Sequence, residues 1–98
     1  MSDYARQKFG EAVEVLASSN RPIQDRLVSA ALSIIALKVD GLPEGLRPRF
    51  EALWHGLTKE KAGGDEGTLK ATTQQLTADQ AGELAREFLG IYEELLRG

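Results

Sequence analysis

The sequence predicts an all-α fold: a compact bundle of four to five helices around a central, widely apolar second helix. Three observations predict it. Apolar residues recur with a period near 3.6 almost everywhere, and no stretch alternates cleanly as a half-buried strand does. Thr77-x-x-Gln80 then spells a capping box ahead of an amphipathic segment.

The first helix is expected from about Asp3 to Ser18, with Ser2 or Asp3 as N-cap and Ala5, Phe9, Ala12, Val13 and Leu16 on one face. Ser18, Ser19 and Asn20 end it. Asn20 or Arg21 should cap a second helix with Pro22 in its first turn, where a missing N–H is harmless, and Asp40 and Gly41 stop that helix after Val39. Its apolar side chains span roughly 220°, against about 100° for a surface helix, so it should pack on several sides. Arg26, Ser29 and Ser33 form its only sustained polar strip.

Leu42 to Gly45 read as a turn or one 3₁₀ winding into a third helix that ends at Leu57, with Leu46, Phe50, Leu53, Trp54 and Leu57 on its apolar side and Pro48 either in its first turn or kinking it. Lys59 to Gly67 combines charge with glycine and lacks apolar anchors, which predicts a flexible connection at 59–67, the first site of limited proteolysis. Thr68 should cap a short fourth helix through Leu69, Thr73 and Leu76. In the last helix Ala81, Leu84, Ala85, Phe88, Leu89, Ile91, Tyr92, Leu95 and Leu96 share an arc of about 160°. Gly98 stands where a helix C′ glycine belongs.

Residues 1–98 are therefore expected to form a single helical domain. A chain of 98 residues, 42% hydrophobic, has little core to spare, which raises the expectation of self-association. Without cysteine there is no disulfide, thiolate metal site or cysteine nucleophile, and the expected compartment is the cytoplasm. The start, MSDYARQKFG, does not read as a signal peptide, and the longest apolar run, Ile34 to Leu37, is far short of the roughly 18 residues of a membrane span. A net charge of −3 is the wrong sign for a protein that neutralises phosphates.

The chemistry-bearing constellations are sparse. Glu51 and His55 stand four apart on one helix, but a di-iron bundle needs a second histidine and further inward glutamates. Glu93 and Glu94 fall on the polar face of the last helix rather than in an apolar pocket that would raise a carboxyl pKa. Gly63, Gly64 and Gly67 lack the spacing of a phosphate-cradling loop. Arg47, Pro48 and Arg49, with Arg21 and Arg26, are too small a basic group for a DNA-reading helix. No catalytic, cofactor-binding or metal-ligating residue is predicted.

The expected function is that of a small non-enzymatic helical interaction protein, an accessory, immunity or antitoxin-like partner that self-associates. The alternative is a regulatory bundle that admits a small ligand between helices. Expected partners are a second copy, as a homodimer, and a heterologous protein, with neither nucleic acid nor membrane. The candidate interface residues are Leu32, Val28 and Val39 of the second helix with Trp54 and Phe50 of the third.

Overall fold

Each periodic segment of the sequence forms a helix in the computed structural model, which describes residues 2–98. The elements are α1 (Ser2–Ser18), α2 (Ile23–Ile34), 3₁₀ turns at Val39–Gly41 and Glu44–Leu46, α3 (Arg47–Leu57), α4 (Gly64–Gln74) and α5 (Ala78–Arg97), with no strand among the described residues. Ser2 and Asp3 lie inside the first turn of α1, so its N-cap falls outside the described residues.

Helix α2 is central, as its wide apolar arc demands, and packs against α1, α4 and α5. Leu27, Val28, Ala30, Ala31 and Ile34 are buried along it. It is also shorter than the sequence suggests, ending at Ile34 instead of Val39, and Pro22 occupies the N-cap position rather than the first turn. The early end has a tertiary cause. Once the helix stops, Leu37 and Val39 fold back against the core and Leu42 is buried, a placement that a continuous helix through Val39 would forbid. A 3.0 Å bond from the Leu37 N–H to the Ile34 carbonyl closes this turn.

The core is centred on three phenylalanines from three helices. Phe9 of α1 stands edge-on to Phe50 of α3 and tilted against Phe88 of α5, with ring centroids 6.0 Å apart in each pair. Around them lie Leu27, Ile34, Leu53, Leu57, Leu69, Ile91 and Leu95, all fully buried.

Helix α4 starts at Gly64, four residues before Thr68, so the second half of the expected flexible connection is helical. Gly64 enters it at φ +77°, a conformation that a side chain would strain, and Asp65 and Glu66 place negative charge at the helix N-terminus. The segment before it is tied down by hydroxyls. Thr72 Oγ1 accepts from the Glu60 N–H at 2.9 Å, and Thr68 Oγ1 accepts from the Ala62 N–H at 3.1 Å while donating to the Ala62 carbonyl at 3.2 Å.

Helix α5 carries the expected capping box: the Gln80 N–H donates to Thr77 Oγ1 at 3.1 Å and the Thr77 N–H donates to Gln80 Oε1 at 2.9 Å. Thr77→Ala should cost about 1 kcal/mol by orphaning the Gln80 N–H. In a domain of this size that lowers the midpoint of a thermal melt followed by circular dichroism by about 4–8 °C. No loss of melting temperature would show that water satisfies the helix start equally well.

Candidate functional site

Helices α1 and α5 lie side by side in opposite directions, and the seam between them is where small residues collect. Arg6 near the start of α1 donates through Nε to the Leu95 carbonyl at 3.3 Å, fixing one end. At Gly10 the Tyr92 ring lies so close that an added Cβ would stand 3.3 Å from its hydroxyl. Farther along, Val13, Leu16 and Ala17 face Gly82, Ala85 and Leu89 across an open groove of about 230 Å³, whose only charged lining residue is Arg86.

The groove exists because α5 carries more apolar surface than one core can cover. Ala81, Phe88, Ile91 and Leu95 are buried and Leu84, Ala85 and Tyr92 half-buried. Leu89 and Leu96, on the outer edge of the same arc, remain 44% and 55% exposed. The sequence places both with the core-facing residues. Their exposure is the feature that sequence reading misses, although an arc of about 160° already exceeds the roughly 100° that one packing face uses.

The residues expected at an interface fall in separate places, Val28 with Leu32, Phe50 with Trp54, and Val39 apart from both. Val28 and Phe50 are mostly buried, at 8% and 7% exposed, Phe50 against the Phe9 ring, and each shows only an edge to a surface depression. Leu32 is 38% exposed beside a polar depression lined by Arg21, Asp25, Glu66 and Lys70. Half-buried Trp54 lines a different cleft, of about 260 Å³, with Ile35, Leu37, Phe50 and Asp65. Val39 is half-buried in the first 3₁₀ turn.

The candidate chemical groups are dispersed as well. Glu51, His55, Glu93 and Glu94 are exposed, and among the described residues no three histidine or carboxylate side chains gather as a metal site would require. The arginines have internal work. Arg26 donates to the Leu16 carbonyl at 2.7 Å at the end of α1, Arg21 to Ser29 Oγ at 2.6 Å, and Arg47 to the Leu42 carbonyl at 3.0 Å. Arg49 pairs with Glu87 at 2.8 Å, joining α3 to α5, and that hydrogen bond raises the guanidinium pKa above its ordinary value. Its tip rests on Gly90, where an added Cβ would collide with it. Among the described residues, no helix is long and apolar enough to cross a membrane.

Comparison with protein-family models, with curated proteins and with solved structures finds no match for this chain.

Proposed function

We propose that this is a non-catalytic interaction protein that receives an apolar helix in the groove between α1 and α5. One observation carries the reading: Leu89, a large apolar side chain on a rigid helix, stands 44% exposed at the lip of an open, nearly charge-free groove floored by alanine and glycine. Small side chains let a docking backbone come close, and a helix in a groove buries alternating large residues with little rearrangement of its host. The Trp54 cleft favours the ligand-binding alternative less well. At about 260 Å³ it is smaller than the roughly 300–1,000 Å³ of most small-molecule sites.

Photo-crosslinking tests this directly. With a benzophenone amino acid at position 89, the chain should form a covalent adduct with a polypeptide in cells or, where the partner is a second copy, when purified at about 100 μM. The same group at exposed Glu60, which does not line the groove, should form none. Absence of any adduct at position 89 under both conditions, or equal adducts at the two positions, would remove the reading.

A further inference from the structure

The geometry points to a second copy of this chain as the occupant of the groove, with its α5 lying antiparallel across the first. This inference rests on the interaction reading above and names the partner. Along α5 the groove-lining Gly82, Ala85 and Leu89 belong to a strip that continues through Ala78, Leu96 and Tyr92, the last also resting on Gly10 of its own α1; the six are spaced alternately four and three apart, which is the spacing of a seam between two helices.

The strip is graded by size. Its first half holds Ala78, Gly82 and Ala85, and its second half Leu89, Tyr92 and Leu96. Space is open over Gly82, where an added Cβ would meet nothing within 4 Å, whereas Leu89 and Leu96 project into solvent. A two-fold axis between Ala85 and Leu89 sets Ala85 against the partner's Leu89, Gly82 against the partner's Tyr92 and Ala78 against the partner's Leu96. Every layer then joins one small and one large side chain, as close packing requires. A parallel copy would set small on small and large on large, leaving gaps at one end and crowding at the other.

Charge follows the same symmetry. Arg86 and Glu93 are exposed, seven residues apart on one flank of the strip. In an antiparallel pair that flank faces its own equivalent, so each Arg86, close to the two-fold axis, can reach past the partner's Arg86 to the partner's Glu93, five residues farther along, and make two ion pairs. A copy of this chain matches the size gradient and offers each Arg86 an acidic partner.

The test is the mass of the purified chain by light scattering and sedimentation equilibrium at up to about 100 μM, with far-UV circular dichroism as a check on folding. The unmodified chain should dimerise, and Leu89→Glu, at a position already exposed, should leave a helical monomer. Arg86→Glu alone and Glu93→Arg alone should each weaken the dimer roughly tenfold, because each replaces two attractive pairs by two repulsive ones. The double variant Arg86→Glu/Glu93→Arg should restore it, and an equimolar mixture of the two single variants should form heterodimers. A monomeric unmodified chain, a dimer indifferent to Leu89→Glu, or a double variant as weak as the singles would overturn the proposal. A monomer that still captures a different polypeptide through position 89 would sink the second copy while leaving the interaction reading in place. A monomer with no adduct there would sink both.

Discussion

Phe9→Ala should remove about 3–5 kcal/mol of stability, the largest loss expected from any single truncation in this chain. Phe9 is fully buried and is the ring that touches both of the others, so its removal opens a cavity where α1, α3 and α5 meet and deletes two aromatic contacts together. A domain of this length has only about 5–15 kcal/mol in total, so the variant should be near its unfolding threshold. Urea titration followed by circular dichroism and by the fluorescence of Trp54, the only tryptophan, measures the loss. Phe9→Leu, which refills most of the volume, should lose considerably less. A Phe9→Ala midpoint within about 1 kcal/mol of the unmodified chain would mean that the core collapses around the gap, against this account of how it is centred.

The second large effect concerns the segment between α3 and α4. Its side chains are exposed and charged, yet its backbone is clasped at Glu60 and Ala62 by the hydroxyls of Thr72 and Thr68, which are 2% and 9% exposed. Replacing both threonines by valine keeps the buried volume and removes the clasp, at about 1 kcal/mol for each hydrogen-bonded site, or about 2 kcal/mol together. The lost stability is local to this segment. Trypsin cleavage at Lys59 and Lys61 should therefore quicken by more than tenfold, while the global urea midpoint moves less. Rapid cutting of the unmodified chain at these lysines, unchanged by the double substitution, would show that the hydroxyls do not hold the segment.

What could be read from the sequence was whatever is settled within a turn or two of chain. The Thr77 and Gln80 cap of α5 and the apolar face of α1 depend on near neighbours, and both stand as expected. The end of α2 depends on distant ones: nothing between Ile34 and Val39 is a glycine or proline, and only the demand of the core for Leu37, Val39 and Leu42 breaks the helix there. The start of α4 had a local signal, Asp65 and Glu66 in what becomes the first turn, but the surrounding glycines give the stretch the composition of a loop. For the groove, the width of the apolar arc is the signal, as it is for the central place of α2. The same argument applies to α5, where excess width marks the edge that stays uncovered. Val28 and Phe50 stand among the interface residues expected from the sequence because helical periodicity says which side chains are apolar, whereas burial shows which of those the chain itself uses.

The pairing of α1 with α5 also sets a timetable. Phe9 and Phe88 are neighbours in space but 79 residues apart in the chain, and at the usual rate of about 5–20 residues per second the ribosome makes the second roughly 4–16 s after the first. For those seconds the part of α1 that packs on α5 has no native cover, although α2 is already made. Helix formation and loose collapse take microseconds, so synthesis rather than folding sets the delay. The helix that closes the core is also the one that bears the groove strip. A nascent chain therefore offers its docking surface only after the core has been sealed, and half-made copies have no native groove through which to pair.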